Sequence, residues 1–229
     1  MKRKIISNIV SLLQAIEGAL LSLKKRNSIF EKIYHKNSWK SAESRSGTGS
    51  EFEQTKVVVA SLVPFLQKYQ VTSLLDVPCG DWNWMQRIQL RGIAYVGGDI
   101  VKSLIDNNIS QFGSSCIRFV CLDLVTDPLP EVDCVFCRDC LVHLSNSDII
   151  NALQNIKRSR SRYLLTTDFP DCFENRNIAT GQWRPINFTL PPFNFPAPLD
   201  YIIEDCTDVG ATDKRLALWS VEQIDAHIP

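Results

Sequence analysis

The strongest constraint on the fold is a series of short apolar runs between Ser73 and Phe169, each closed by an acid. "SLLD" ends on Asp76, "AYVGGD" on Asp99, "IRFVCLD" on Asp123, "VDCVFCRD" on Asp139 and "RYLLTTD" on Asp168. Runs of this length, continuous rather than alternating in polarity, are strands buried on both faces. Helix-like stretches separate them, which predicts a Rossmann-like, doubly wound, mostly parallel α/β sheet. Ligands of such sheets bind beyond the carboxyl ends of the strands, where the strand order reverses. The acids therefore mark a ligand rim.

The helices carry their own signals. Thr55 to Tyr69 places Val57, Val58, Leu62, Phe65 and Leu66 on one side and predicts a helix kinked or broken at Pro64. "WNWMQRIQL" predicts a short helix and "VKSLIDNNISQF" a longer one. In "SNSDIINALQNIKRS", Ser145 is placed to cap and Ile149, Ile150, Leu153 and Ile156 form an apolar face. "DYIIEDC" and "RLALWSV" predict an antiparallel C-terminal hairpin at the sheet edge. Upstream, Ile5, Ile9, Leu12, Leu13, Ile16, Leu20 and Leu23 recur at helical steps. They predict an amphipathic helix for packing or homodimerisation, with peripheral membrane contact as the alternative. Asn8, Gln14 and Glu17 interrupt it, which makes it a poor membrane span. The segment after it, through "ESRSGTGS", is expected to be a loop. The expected organisation is a helical and loop extension over residues 1–54, then one domain over 55–229 with a proline-rich excursion at 170–200.

Composition narrows the partners. The 229 residues are 45% hydrophobic and carry no net charge, so one core is affordable and no global basic face invites nucleic acid. Eight cysteines without the spacing of a small stapled domain are read as reduced thiols of a cytoplasmic protein. Cys134, Cys137 and Cys140 lie on a strand-like run, where steps of three put neighbouring thiols on opposite faces. They are expected to be structural, and no metal is expected.

The first strand turns through "VPCGDWNW", with Pro78, Cys79, Gly80 and Asp81 and only one glycine. A dinucleotide pyrophosphate wants several glycines and bare N–H groups at this turn. Carboxylates at Asp76 and Asp81 would repel it but suit an ammonium. Asp99, followed by Ile100, stands 19 residues after Gly80, close to the spacing of a ribose-binding acid. Trp82 and Trp84 are either an apolar or cation–π wall for the ligand or ordinary packing of the turn on the sheet.

"LLDVPCGDWNW", "YVGGDI", "FVCLDL" and "VDCVFCRDCLVHL", in this order, resemble the motifs of class I S-adenosylmethionine-dependent methyltransferases over roughly Val71 to Phe169. The resemblance implies a seven-stranded sheet ending in an antiparallel hairpin. It implies that Asp76, Cys79 and Gly80 approach the methionine moiety, that Asp99 binds the ribose, and that Asp123 and Leu124 meet the adenine edge. It implies S-adenosylmethionine as cofactor and methyl transfer to a small-molecule or saccharide acceptor. Arg138 is expected at the cofactor's methionine end, and Arg45 against its carboxylate or an acidic acceptor. His143, with Asp139 four residues earlier to orient it, is the candidate general base. Thr167 and Asp168 end the fifth strand on the ligand side. Asn175, Arg176, Trp183, Arg184 and Asn187 belong to an acceptor lid or, alternatively, a rigid excursion. Competing readings are a nicotinamide-dependent Rossmann oxidoreductase, which the missing glycines and absent Tyr-x3-Lys pair oppose, and a non-catalytic cofactor- or metal-binding module.

Overall fold

The computed structural model describes residues 26–207 and 210–225. The amphipathic helix expected over residues 5–23, with its dimer and membrane alternatives, lies outside them. Seven strands form one sheet: β1 (Ser73–Asp76), β2 (Ala94–Asp99), β3 (Ile117–Cys121), β4 (Cys134–Cys137), β5 (Tyr163–Asp168), β6 (Asp200–Ile203) and β7 (Arg215–Ser220). Their order is β3-β2-β1-β4-β5-β7-β6. β1 to β5 are parallel, and β7 runs antiparallel between β5 and β6. The order reverses between β1 and β4, so the crevice opens above Asp76 and Phe136, which pair there.

Period-2 alternation divides the strands between two cores. Leu75, Val135, Leu164 and Trp219 pack on one face with Ile149, Leu153 and Ile156 of α4 (Asn146–Arg158). Leu74, Phe136, Leu165 and Leu218 pack on the other with Val58 and Leu62 of α2 (Phe52–Lys68) and Leu104 of α3 (Lys102–Phe112). Each such side chain contributes about 1.5–3 kcal/mol on burial, which is why continuous apolar runs outweigh any local preference here. Ser145 caps α4 by accepting the Asp148 N–H at 3.2 Å, and α5 (Val221–Asp225) closes the same face. The C-terminal hairpin forms as expected, with β7 rather than β6 against the sheet.

Three local expectations need correction. Residues 26–36 form a helix, α1, not a loop. Ile29, Phe30, Ile33 and Tyr34 repeat at helical spacing, and Phe30 packs against the core. Of the two outcomes expected at Pro64, the break does not occur, because α2 runs on through it. "WNWM" is not helical: it runs in turns to a single 3-10 turn at Met85–Arg87. Trp82 sits at φ 58, outside helical geometry, and Trp82, Trp84 and Met85 are all buried. Three near-neighbours facing inward exceed what a one-sided surface helix can bury.

Candidate cofactor and acceptor site

A cavity of about 810 Å³ opens at the carboxyl ends of β1, β2 and β4. That is within the range of small-molecule sites, roughly 300–1,000 Å³. Its floor is the β1 turn, with Asp76, Pro78, Cys79 and Gly80, and the end of β2, with Asp99 and Ile100. Asp99 is held by two backbone donors, Val101 N–H at 2.9 Å and Gly80 N–H at 3.2 Å. Gly80 needs its φ of +54, and a Cβ there would meet the Ser46 hydroxyl at 2.3 Å. Burial pushes Asp99 up to about 6 and Asp76 to about 7, although backbone donors pull the first down and the Tyr95 hydroxyl the second. Burial also pushes the Cys79 thiol well up, so it stays protonated.

Tyr95 in turn accepts a hydrogen bond from Trp82 Nε1 at 2.9 Å, forming a relay from Trp82 through Tyr95 to Asp76. Trp82 therefore packs behind the floor, against Phe112 and Phe119, rather than in the ligand space. Trp84 does line the cavity, and the Arg138 guanidinium lies 5.4 Å from its ring centre. Of the two tryptophans, one has each of the roles that the turn left open.

Asp81 faces away from the floor and holds a strap formed by residues 41–50. Its carboxylate accepts from Ser44 Oγ at 2.8 Å, Arg45 N–H at 2.7 Å and Ser46 Oγ at 3.2 Å, and its own N–H donates to Ser46 Oγ at 3.0 Å. The strap continues over the cavity, and a Cβ on Gly49 would come within 3.1 Å of Asp139 Oδ2. It thus roofs the space between the ends of β1 and β4. The Arg45 side chain lines this roof, with no ion-pair partner among the described residues.

Asp123 and Leu124 are not among the described residues of the cavity wall. Asp123 accepts Val125 N–H at 2.8 Å and pairs with Arg26 of α1 at 2.9 Å, while Leu124 is buried in the core. Arg26 also reaches Asp148 at 2.9 Å, and Asn27 donates to the Ile100 carbonyl at 3.1 Å. α1 therefore lies across the ends of β2 and β3.

On the β4 side, Asp139 stands at φ 53, with its N–H donated to Thr167 Oγ1 at 2.8 Å. Its carboxylate pairs with Lys214 Nζ at 2.6 Å and Arg138 Nη1 at 3.2 Å. Burial alone would raise its pKa, but Lys214 and Arg138 overrule that and bring it to about 2. Arg138 and Lys214 also share the buried Glu204, at 2.7 and 3.3 Å. Asp139 is thus a fully ionised structural anion. It does not orient His143 through a helix face as expected, because residues 141–143 form only a 3-10 turn.

His143 is oriented by another group. Its Nδ1 lies 2.9 Å from the Gln182 carbonyl, which can only accept, so Nδ1 carries the proton and Nε2 is the basic nitrogen. Gly181, at φ +99, makes this possible by donating its N–H to the His143 carbonyl at 2.8 Å. Burial lowers the His143 pKa below 6.5 despite the Gln182 and Asp139 contributions. The ring is neutral at physiological pH.

The 170–200 excursion divides. Gly181, Gln182 and Trp183 line the cavity. Around them, Arg184 is buried on the Leu141 carbonyl at 2.9 Å, and Asn187 donates to the Pro170 and Cys172 carbonyls at 3.0 and 3.1 Å. Asn175 braces the same loop by donating to the Asn187 carbonyl at 2.8 Å, and Arg176 pairs its side chain with Glu174 at the surface while its carbonyl accepts from Arg184 Nε at 3.2 Å. Asp168 is likewise structural, accepting from Arg215 at 2.7 Å and Phe188 N–H at 3.0 Å. Sequence reasoning missed Lys214, Glu204, Tyr95 and the Gln182 carbonyl. Their partners are far away in the chain, so no local pattern marks them.

The strand order, the inserted antiparallel β7 and the acid-bearing switch point define the Rossmann-like class I methyltransferase fold. Residues 75–161 match the family model of a methyltransferase domain. No curated protein matches by sequence. Among solved structures, 1,6-didemethyltoxoflavin-N1-methyltransferase of Burkholderia thailandensis, bound to 1,6-didemethyltoxoflavin and S-adenosylhomocysteine, is similar at 14% identity and TM-score 0.61, with 89% of each chain covered. N-methyltransferase NodS of Bradyrhizobium japonicum WM9, bound to S-adenosylhomocysteine, is similar at 13% identity and TM-score 0.59, over 83% of this chain and 97% of that one. Human N-acetylserotonin methyltransferase in complex with SAM gives 16% identity and TM-score 0.54 over 72% of this chain. The chain spans about half the length of that enzyme, 52%. At these identities the likeness establishes the class I methyltransferase fold, and the methyltransferase-domain model matches 75–161 of the 229 residues.

Proposed function

We propose that the protein transfers a methyl group from S-adenosylmethionine to a hydroxyl or amine of a small-molecule acceptor. The observation that carries this reading is the pair of buried carboxylates, Asp76 and Asp99, on the floor of the cavity at the switch point. Neither has a cationic side chain in direct contact among the described residues, and burial raises both pKa values. Such a floor suits a ligand that brings hydroxyl donors and positive charge, and it opposes a pyrophosphate.

The cofactor, when bound, supplies a methyl carbon already activated on a sulfonium. Asp99 would take the ribose hydroxyls, beside Ile100. Asp76, Pro78, Cys79 and Gly80 would face the methionine moiety, with Arg45 available for its carboxylate. Asp81 serves this site by holding the strap over it. Arg138 and Asp139 form the charge-neutral wall on the β4 side. His143 Nε2 would accept the acceptor's proton, and the strap, α1 and Trp39 would exclude water. Of the two similar structures solved with S-adenosylhomocysteine, one is by its name a 1,6-didemethyltoxoflavin-N1-methyltransferase and the other an N-methyltransferase, which supports a small acceptor here. No helix among the described residues is long and apolar enough to cross a membrane.

Calorimetry tests the reading. S-adenosylmethionine and S-adenosylhomocysteine are expected to bind, and NAD is not. Binding of NAD alone would favour the oxidoreductase alternative.

A further inference from the structure

The half of the cavity beyond β4 and β5 differs in chemistry from its floor. Trp39, His143, Phe169 and Trp183 line it. Trp39 and His143 lie 5.0 Å apart with an interplanar angle of 33°, so one ring covers the other. Phe169 and Trp183 meet edge to face, 6.0 Å apart at 88°.

Trp183 is 49% exposed although its backbone is fixed on both sides. Gly181 donates to His143, and Arg184 N–H donates to the Val142 carbonyl at 3.1 Å. An exposed indole on a rigid support at a cavity wall is surface kept free for a ligand. The polar groups at this end are mostly consumed. Asp139 and Lys214 neutralise each other. The Gln182 carbonyl faces His143, and its side-chain oxygen accepts Ala179 N–H at 3.1 Å.

We infer that the acceptor is a planar aromatic compound carrying a ring hydroxyl, seated between Trp39 and Trp183 with that hydroxyl at His143. This inference rests on the methyltransferase reading above. A saccharide offers a hydroxyl at nearly every ring carbon, and each one buried without a partner costs about 1–3 kcal/mol. A flat ring needs ring faces and edges instead, and each aromatic contact adds about 0.5–1.5 kcal/mol beyond area. In the transfer, the hydroxyl oxygen forms the new O–C bond as the methyl C–S bond breaks with its electron pair left on sulfur. The hydroxyl proton passes to His143 Nε2.

The test uses the full chain saturated with S-adenosylhomocysteine and titrated calorimetrically with catechol, 2,3-dihydroxynaphthalene, trans-1,2-cyclohexanediol and methyl α-glucopyranoside. The two arenes are expected to bind at least roughly tenfold tighter than the saturated diol, the sum of two ring contacts. Trp39→Ala and Trp183→Ala are each expected to weaken arene binding roughly three- to tenfold, Trp183→Ala with S-adenosylhomocysteine affinity unchanged. That retained affinity shows the Trp183 variant to be folded, and bound S-adenosylhomocysteine shows the same for the Trp39 variant. Equal binding of the saturated diol or glucoside, no arene binding, or arene binding indifferent to both tryptophans overturns the inference. Failure of S-adenosylhomocysteine itself to bind overturns the methyltransferase reading instead.

Discussion

Asp99 and His143 separate binding from chemistry at the level of single side chains. Asp99→Ala is expected to weaken S-adenosylhomocysteine binding by roughly a hundredfold, the loss of hydrogen bonds to a charged acceptor. His143→Ala is expected to spare binding and to slow turnover by about 10²–10⁴. Equal loss of binding in both variants would remove His143 from the chemistry. pH gives an independent check. Asp99 and Asp76 have folded pKa values raised to about 6 and about 7, so the folded protein holds protons that the unfolded chain releases. Their contribution to stability without ligand is greatest below the ordinary carboxylate range and falls as pH rises from about 4 to about 7. Ligand affinity runs the other way, because ionised carboxylates are the better acceptors. Calorimetric titrations at pH 5 and pH 7.5 should therefore show tighter S-adenosylhomocysteine binding at the higher pH. The lowered His143 pKa keeps its base form into mildly acid solution, so the acid limb of turnover should fall below pH 6.5.

The strap is the element whose behaviour most depends on one residue outside it. Five hydrogen bonds join Asp81 to Ser44, Arg45 and Ser46, and together they outweigh the entropy of a Gly- and Ser-rich segment. Asp81→Ala is expected to raise amide hydrogen exchange across residues 44–50 and to speed release of S-adenosylhomocysteine, with the sheet's protection unchanged. Unaltered exchange in the strap would show that its packing on Trp39, not Asp81, holds it. The excursion at 179–184 works differently. It is held to the turn at 141–143 by the backbone N–H groups of Gly181 and Arg184 and equally by the His143 and Arg184 side chains, so Arg184→Ala and a substitution at Gly181 should each loosen it.

Across the whole molecule, the Arg138, Asp139, Glu204 and Lys214 cluster ties the C-terminal hairpin to the switch point. Lys214 is 4% exposed, and its removal leaves the buried Glu204 and the half-buried Asp139 with a single cation. Lys214→Met is expected to cost about 3–5 kcal/mol, read by urea denaturation. A ligand that binds only the folded state adds to stability by mass action. S-adenosylhomocysteine at a hundred times its Kd should supply about 2.7 kcal/mol and raise Tm by roughly 5–10 °C.

The strands, their alternation with helices, the α4 cap at Ser145 and the acids at the ends of β1 and β2 were legible in the sequence because each is a local pattern. An apolar run of five residues has few ways to bury itself, and a carboxylate at its end has few places to go. The α1 periodicity was equally local, though hidden in a polar stretch. Tertiary structure alone decided which acid faces the cavity. Asp76 and Asp99 do, and so does Asp139, already paired with Lys214 75 residues away, whereas Asp81 turns to the strap and Asp123 to Arg26. These outcomes depend on long-range charge pairing and desolvation, which are properties of position in space and leave no period in the chain.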